Sequence, residues 1–256
     1  MTTSLGRAMP SFDGRVVAVT GASGGLGSAI VAAFAAAGAA VIGLDLEPGR
    51  PLDGVSQIAC DVTDDAAVED AFARVASTHD RLDVVVNNAG IGAKGTIETA
   101  SPEDWSAVFD LNVFGLVRVS KHALPLLRRS DAASIVNIGS VNAVIGTPLR
   151  AVYSASKGAV AALTRAMAAD LLDEGIRVNA VHPGPVLTAV TGRYDDDRDE
   201  AIRLMTQSQP LGRLIDAEEI ASTVLYLAQP ALRSLTGAEV RYDGSLSEVV
   251  NVGTSR

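Results

Sequence analysis

The sequence predicts an α/β fold in which a single domain, residues 1–256, is built on a doubly wound parallel sheet of about seven strands flanked by helices. Three observations support this prediction. Short β-branched runs alternate with longer helical patterns almost from end to end. Most of these runs are apolar without alternation, as in strands that are covered on both faces. A length of 256 residues with 48% apolar and 20% charged side chains suits one globular domain.

The individual elements follow from the same patterns. The predicted strands are residues 16–20, 40–44, 58–60, 84–87, 134–138, 177–181 and 239–242. The predicted helices are residues 25–37, 65–77, 102–127, 153–172 and 216–228. One helix start is marked clearly, because Ser101 precedes Pro102 at the first helical position and two acidic residues follow in the first turn. Repeated βα units predict that ligands bind beyond the carboxyl ends of the strands.

Composition excludes several kinds of protein. The chain has 21 basic and 30 acidic residues, a net charge of −9, so neither nucleic acid nor an anionic membrane is an expected partner. Cys60 is the only cysteine, which rules out an intrachain disulfide and a cysteine-rich metal site. We expect no metal, and a reducing compartment, hence the cytoplasm. The first fifteen residues contain no apolar stretch typical of a secretory signal.

One uncharged stretch, residues 16–44, could be mistaken for a membrane span. Six glycines interrupt it, together with Thr20, Ser23 and Ser28. A strand, a tight turn, a helix and a second strand explain this spacing better than a continuous apolar helix does.

The turn after the first predicted strand has the pattern of a phosphate-binding loop. Gly21 would allow the sharp turn, Gly25 would let a pyrophosphate approach the backbone, and Gly27 would let the helix pack closely on the sheet. The phosphates would lie at the helix N-terminus, where free N–H groups favour negative charge. The same residues also fit Gly-x-Ser-x-Gly, the nucleophile elbow of hydrolases, with Ser23 as nucleophile. An elbow normally follows several strands, so this alternative is weaker.

Asp45 ends the second predicted strand, 24 residues after Gly21. A carboxylate at this place accepts hydrogen bonds from the adenosine ribose and repels a 2′-phosphate. Glu47 adds a second negative charge, and no Lys or Arg occupies residues 22–28. The sequence therefore favours NAD over NADP, with Arg50 as the residue that could reverse the preference.

Tyr153 and Lys157 are four residues apart at the start of a predicted helix and therefore share one face. A tyrosine with an ordinary pKa near 10 is a poor base at neutral pH. A neighbouring ammonium favours the phenolate and should lower that pKa. The pair is suited to moving a proton on or off an alcohol oxygen.

Taken together, these motifs resemble the short-chain dehydrogenase/reductase family over roughly residues 13–245, which implies a Rossmann-like fold. The resemblance rests on motifs in family order: Thr20-Gly21-x-x-x-Gly25-x-Gly27, Asp61-Val62, Asn87-Asn88-Ala89-Gly90, Asn112, Ser140, Tyr153-x-x-x-Lys157 and Pro183-Gly184. The family's activity is hydride transfer between a nicotinamide cofactor and an alcohol or ketone.

The resemblance implies a role for each motif. Tyr153 would be the acid/base, Lys157 would lower its pKa and hold the nicotinamide ribose, Ser140 would bind the substrate oxygen, and Asn112 would hold a water that relays protons. The implied NAD-binding residues are Gly21, Ser23, Gly25, Leu26, Gly27, Asp45, Asp61, Val62, Asn88, Ala89, Gly90, Tyr153, Lys157, Pro183, Gly184, Val186 and Thr188.

The substrate stays open at this point. Apolar residues in 141–150 and 185–205 favour an apolar or amphipathic secondary alcohol, whereas Arg150, Arg193 and Arg203 could anchor an anionic group. Alternatives are a 3-oxoacyl thioester reductase or a sugar or polyol dehydrogenase, and, in another class, a non-catalytic NAD-sensing protein. Residues 187–212, with an acidic run at 195–200, are expected to form a substrate loop or lid.

An alanine stripe on the Tyr153 helix predicts a homo-oligomer, a dimer or tetramer. Its members are Ala155, Ala159, Ala162, Ala166 and Ala169.

Overall fold

The computed structural model describes residues 11–188 and 198–248. Within them, seven strands form one parallel sheet in the order β3-β2-β1-β4-β5-β6-β9. The strands are β1 (Val16–Thr20), β2 (Ala40–Asp45), β3 (Val55–Ala59), β4 (Val84–Asn87), β5 (Ser134–Ile138), β6 (Arg177–Pro183), β7 (Val186–Leu187), β8 (Ile215–Asp216) and β9 (Glu239–Tyr242). The doubly wound α/β prediction is confirmed. The strand order reverses between β1 and β4, and this is where such sheets open a crevice at their carboxyl ends.

Helices cover both faces of the sheet. They are α1 (Gly25–Ala36), α2 (Asp65–Thr78), α3 (Pro102–Phe109), α4 (Leu116–Leu127), α5 (Ala151–Asp170), α6 (Arg198–Gln207) and α7 (Ala217–Ala228). Alternate residues of β1 face opposite layers: Ala18 packs with α2, α4 and α5, whereas Val17 and Val19 pack with α1 and α7. Both faces are therefore apolar, which explains the uninterrupted hydrophobic strands in the sequence.

The start of α3 is a capping box. The Ser101 side chain accepts a hydrogen bond from the Asp104 backbone, and the Asp104 carboxylate accepts one from the Ser101 backbone. The predicted start at this position is confirmed, since two otherwise unsatisfied N–H groups are satisfied reciprocally.

The predicted helix over residues 102–127 is wrong in its middle. Residues Asp110–Gly115 form a π-helical segment between α3 and α4. A Cβ on Gly115 would lie 2.9 Å from Cγ2 of Val62, so the chain here approaches the end of the neighbouring βα unit very closely. This wider turn contains Asn112, and π-helical turns of this kind occur frequently at functional sites.

The third strand was also misplaced. It covers Val55–Ala59 rather than residues 58–60, with Leu44 opposite Ile58 in β2. β3 is the edge strand of the sheet and is partly exposed, so it carries Ser56 and Gln57 and lacks the apolar run that identified the interior strands.

The region between β6 and α7 contains elements that the sequence did not predict. β7 pairs with β8, with Val186 opposite Ile215, and α6 lies between these two strands along the chain. Part of the acidic run, residues 195–197, lies outside the described residues. No helix in the described ranges is long and apolar enough to cross a membrane. In the same ranges no group of three or more His, Cys, Asp or Glu side chains is placed to hold a metal ion.

Candidate active site

The glycine-rich turn after β1 has positions that only glycine can occupy. Gly21 has φ +62°, and a Cβ there would lie 2.9 Å from both Asn88 Nδ2 and Ala89 Cα. A Cβ on Gly27 would lie 1.9 Å from the Gly21 carbonyl oxygen. The turn and the first helical turn therefore pack against each other without room for a side chain.

The first turn of α1 is built to receive an anion. Its N-cap, Gly24, provides no side-chain hydrogen bond, and the turn contains no acidic residue. The helix N-terminus therefore has N–H groups and a positive dipole end with no carboxylate to compete. A Cβ on Gly25 would lie 2.6 Å from Thr188 Cβ, so Gly25 and Thr188 face each other. These residues fit a dinucleotide's pyrophosphate.

Asp45 is tied to this turn. Its carboxylate accepts hydrogen bonds of 2.8 Å from the backbone N–H groups of Ser23 and Leu46. The Ser23 hydroxyl donates to the Glu47 carbonyl at 2.7 Å. These two hydrogen bonds leave lone pairs on the Asp45 carboxylate that can accept further hydrogen bonds, for example from ribose hydroxyls. The hydrolase alternative loses support, because the Ser23 hydroxyl is held by a backbone carbonyl and not by a histidine.

Asn88 and Ala89 hold the other side of the turn. Both backbone N–H groups donate to the Thr20 hydroxyl at 3.0 Å, and the Asn88 amide donates to the carbonyls of Thr20 and Gly21. The end of β4 is thereby locked to the end of β1 at the switch point of the sheet. Leu26, in the first turn of α1, packs against the core layer of α1 and α7.

Asp61 and Val62 follow β3 in chain order. Asp61 Oδ1 accepts hydrogen bonds from the backbone and hydroxyl of Thr63, at 2.9 and 2.7 Å. Val62 is buried against Gly115, and its carbonyl accepts from Arg118 at 3.3 Å. Val62 therefore connects this loop to the π-helical segment and to α4, whereas the contacts of Asp61 stay within the loop.

Tyr153, Ser140 and Lys157 converge beyond the carboxyl ends of β5 and β6. The Lys157 ammonium nitrogen lies 5.8 Å from the centroid of the Tyr153 ring. Burial raises the pKa of Tyr153, whereas a hydrogen bond with Ser140 and the positive charge of Arg150 lower it. The effect of burial is the largest, so the net pKa lies above its usual value of 10.0. The sequence-based expectation that Lys157 sets a lowered pKa is therefore wrong for this arrangement, because burial disfavours the phenolate more than its neighbours favour it.

Lys157 is itself buried, and its ammonium donates to the Ile138 carbonyl at 2.8 Å. Burial lowers its pKa to about 8, so the charged form still predominates at pH 7. Gly90 faces this group: a Cβ there would lie 3.6 Å from Lys157 Nζ and 3.1 Å from Asn112 Oδ1. Gly90, Asn112 and Lys157 therefore lie close together.

The Asn112 side chain makes three hydrogen bonds to neighbouring groups, which leave one lone pair on its Oδ1 for a further donor. Its Oδ1 accepts from the Ile91 backbone at 2.8 Å, and its Nδ2 donates to the Ile91 carbonyl at 2.9 Å and to Ser156 Oγ at 3.1 Å. Ser156 Oγ donates in turn to the Tyr153 carbonyl at 2.8 Å. Asn112 thus connects the π-helical segment to the helix that carries Tyr153.

The Pro183-Gly184 motif closes the site from the β6 side. A Cβ on Gly184 would lie 2.9 Å from the Asp243 backbone, and its N–H donates to the Tyr242 carbonyl at 3.0 Å. Val186 packs against the core layer of α1 and α7. The chain is thereby directed from the end of β6 to Thr188, which lies over the start of α1.

Sequence reasoning missed a buried polar ladder across the sheet. Asn87 Nδ2 donates to Asn137 Oδ1 at 2.8 Å, and Asn137 Nδ2 donates to Thr164 Oγ1 at 2.9 Å. The ladder holds β4, β5 and α5 in register, so Lys157 and Ser140 keep their relative positions. Polar residues inside otherwise apolar strands were the sequence feature that could have indicated it.

His182 was also left without a role, since it precedes Pro183-Gly184 and belongs to no motif of its own. Its side chain is fully buried and lies directly behind Ser140. Burial lowers the pKa of the imidazole.

The fold and site define a nicotinamide-dependent oxidoreductase that acts on an alcohol or ketone. The chain belongs to the short-chain dehydrogenase/reductase family: a family model described as enoyl-(acyl carrier protein) reductase matches residues 21–247.

Individual relatives support the same assignment. Meso-2,3-butanediol dehydrogenase of Serratia marcescens is 36% identical over 242 residues, covering 91% of this chain and 94% of that protein. The ligand-free aldohexose dehydrogenase of Thermoplasma acidophilum superposes with a TM-score of 0.89 at 34% identity, covering 95% and 98% of the two chains. A 3-ketoacyl-(acyl-carrier-protein) reductase from Brucella melitensis, solved with NADH, has a TM-score of 0.84 at 29% identity, covering 93% and 100%.

Proposed function

We propose that this protein is an NAD-dependent dehydrogenase that interconverts a secondary alcohol and its ketone, with Tyr153 as the acid/base. The observation that carries the proposal is the convergence of Tyr153, Ser140 and Lys157 beyond the strand ends, next to the glycine turn. A protein that only sensed NAD would need the glycine turn but not this set of proton-handling side chains.

Each side chain of the site has its own role in alcohol oxidation. Ser140 and Tyr153 hold the substrate oxygen, and Tyr153 takes up the alcohol proton as the carbonyl forms. Lys157 remains charged at neutral pH and would hold the nicotinamide ribose, with its ammonium 5.8 Å from the centroid of the Tyr153 ring. Asn112 would hold the water that carries the proton onward from Lys157, in the space bordered by Gly90. Bound NAD would supply the hydride acceptor, which no side chain of this chain can be.

Charge supports NAD over NADP. The Asp45 carboxylate is bound to the glycine turn at Ser23, so a 2′-phosphate on the adenosine ribose would face it, and Glu47, whose backbone carbonyl also contacts Ser23, adds negative charge nearby. Asp45→Ala should lower kcat/KM with NAD and raise it with NADP. Asp53→Ala provides a control in a nearby exposed carboxylate. An unchanged ratio of the two efficiencies would contradict the NAD proposal.

The test of the catalytic proposal is Tyr153→Phe. A panel of secondary alcohols and ketones, followed by nicotinamide absorbance, should show at least a hundredfold loss of turnover. NAD binding, measured by calorimetry, should stay within threefold. Tyr226→Phe is the matched control, because Tyr226 is exposed on α7. An unchanged rate in Tyr153→Phe would refute the assignment.

We also propose that α5 mediates a homo-oligomer. Ala155, Ala162, Ala166 and Ala169 are exposed along this helix, and Phe114 in the adjoining π-helical segment is 52% exposed. Small side chains allow close helix approach, and the exposed phenylalanine adds apolar area for burial. Light scattering at micromolar concentration should detect a dimer or tetramer, and Ala162→Arg should shift it towards the monomer.

The whole chain would act as one catalytic domain, and residues 187–212 would act as a lid over the substrate. Two features of α6 support the lid: it buries none of its side chains, and Leu204 is exposed on it. The cytoplasmic location predicted from the single, buried Cys60 stays a prediction.

A further inference from the structure

Arg150 occupies a firmly held position next to the proposed acid/base. It is the N-cap residue of α5, three residues before Tyr153. The backbone around it is bridged to residue 95: Gly95 N–H donates to the Leu149 carbonyl at 2.9 Å, and Ala151 N–H donates to the Gly95 carbonyl at 3.3 Å. The side chain therefore starts from a fixed backbone rather than from a free loop.

The guanidinium of Arg150 lies beside the Tyr153 ring. A Cβ on Gly92 would be 3.9 Å from Arg150 Nη1 and 3.8 Å from Tyr153 Cδ2, so these two atoms are less than about 8 Å apart. Burial raises the pKa of Tyr153, and the charge of Arg150 is one of the two influences that lower it. Arg150 Nη1 and the Tyr153 ring thus border the same space in front of Gly92.

Arg150 differs from the other arginines in the described ranges. Most of those bind a carboxylate or a backbone carbonyl, as Arg128 does with Glu174 and buried Arg177 does with three carbonyl oxygens. Three further arginines without such a partner are exposed to water: Arg50, Arg74 and Arg233. Arg150 is half-buried, and no carboxylate or carbonyl among the described residues binds its side chain. A partly desolvated guanidinium without a counter-ion favours binding of an anion.

We propose that the substrate is a short hydroxy acid, or the corresponding keto acid, whose carboxylate binds to Arg150 while Tyr153 and Ser140 hold the reacting oxygen. This inference rests on the proposed function and specifies its substrate class. Arg150 takes no part in the bond changes; it selects the substrate and fixes its orientation. A planar guanidinium matches a carboxylate in two parallel hydrogen bonds, which positions the carbinol carbon as well as binding it.

The surroundings favour a small amphipathic acid over a sugar. Val144 and Leu149, in the segment that leads from Ser140 to Arg150, are 51% and 44% exposed. Their side chains provide apolar contact for a short carbon chain, whereas a polyol would bring several hydroxyl groups against them. A cation at the end of a segment with exposed apolar side chains is complementary to a carboxylate on a short alkyl chain.

The test compares acid and neutral substrates that share one carbinol group. The oxidation of 3-hydroxybutyrate and of its methyl ester is measured for the wild-type protein, Arg150→Met and Arg150→Lys, with exposed Arg74→Met as control. The wild type should prefer the acid at least tenfold in kcat/KM. Arg150→Met should reduce the acid-to-ester ratio at least thirtyfold, chiefly through KM, and Arg150→Lys should give an intermediate ratio. Sulfonate and phosphate analogues of the same length report whether another anion is preferred.

Binding separates this inference from the catalytic proposal. Acetoacetate binding, measured by calorimetry with NADH present, should weaken at least tenfold in Arg150→Met but less than threefold in Arg74→Met. Equal binding by Arg150→Met and wild type, an unchanged acid-to-ester ratio, or a preference for the ester, the sulfonate or the phosphate would overturn the hydroxy-acid inference. An active Tyr153→Phe would overturn the catalytic proposal instead, whatever Arg150→Met does.

Discussion

The imidazole of His182 supports Ser140 from behind. His182 Nδ1 lies 3.3 Å from the Ser140 backbone nitrogen and 3.0 Å from the Ser140 carbonyl oxygen. His182 Nε2 lies 3.4 Å from a carboxylate oxygen of Glu239, which also pairs with Arg165 on α5. The shorter Nδ1 contact suits a protonated Nδ1 that donates to the Ser140 carbonyl, whereas Nε2 has no hydrogen-bond partner among the described residues. His182 therefore fixes the backbone that aims the Ser140 hydroxyl.

We predict that His182→Ala lowers kcat about tenfold to a hundredfold, because Ser140 loses its backbone support. KM for NAD should change less than threefold, since the glycine turn is untouched. Glu239→Gln should have a smaller effect, as it removes the charge and keeps the shape. Circular dichroism checks folding, and an unchanged kcat in folded His182→Ala would exclude a positioning role.

Gly27→Ala should abolish NAD binding and destabilise the protein. The added methyl would lie 1.9 Å from the Gly21 carbonyl, so the turn must shift away from its anion-binding geometry. Gly146→Ala is the matched control, since a Cβ there meets nothing within 4 Å. Calorimetric titration with NAD and thermal unfolding measure the two effects. Normal NAD affinity in Gly27→Ala would show that the turn does not hold the cofactor.

Lys157→Met should lose activity without losing stability at pH 7. Burial lowers the pKa of Lys157 to about 8 from 10.5, so the folded protein binds fewer protons than the unfolded chain between these values. The cost of burying the charge is fully present below pH 8 and is relieved as the pH rises towards 10.5. The unfolding free energy of the wild type should therefore increase from pH 8 to 10 relative to Lys157→Met. Urea unfolding measures it, with exposed Lys121→Met as control; a parallel pH dependence would contradict the buried charge.

Asp83 should be essential for stability and irrelevant to substrate binding. Its carboxylate is buried at the amino end of β4, where it accepts from Val16 N–H at 2.8 Å, Ser130 Oγ at 2.6 Å and Arg15 Nη1 at 2.9 Å. Asp83→Ala should cost about 3–5 kcal/mol of unfolding free energy, because these donors lose a buried acceptor. KM should stay within twofold, since the site lies at the opposite edge of the sheet. Chemical unfolding and kinetics test both statements, and Asp80→Ala serves as the exposed control.

The pH dependence of Asp83 has a definite sign. Burial raises its pKa, but the hydrogen bonds from Ser130, Val16 and the two arginines outweigh it, and the net shift is downward from 3.8. Its contribution to stability is therefore present above pH 3.8 and is lost as the pH falls through the lower folded pKa. Asp83→Ala should lack this acid-induced loss of stability. Acid titration followed by circular dichroism distinguishes the two proteins.

Local patterns determined most of the fold. The apolar strands, the glycine turn and the Ser101–Asp104 capping box were all identifiable, because each depends on residues close together in the chain. The edge strand β3 was misplaced, since its stability comes from pairing with β2 rather than from an apolar run of its own. The π-helical segment around Asn112 was missed for a related reason: it is shaped by the contact of Gly115 with Val62.

The motif residues of the site could likewise be named from the sequence, whereas their electrostatics could not. Spacing alone placed Tyr153 and Lys157 on one face of a helix and suggested a lowered tyrosine pKa. Only the tertiary structure shows that burial raises the pKa of Tyr153, that Arg150 opposes this rise, and that His182 lies behind Ser140. The physical reason is that secondary structure follows local periodicity. Burial, charge proximity and hydrogen bonds across the sheet exist only once distant segments are packed together.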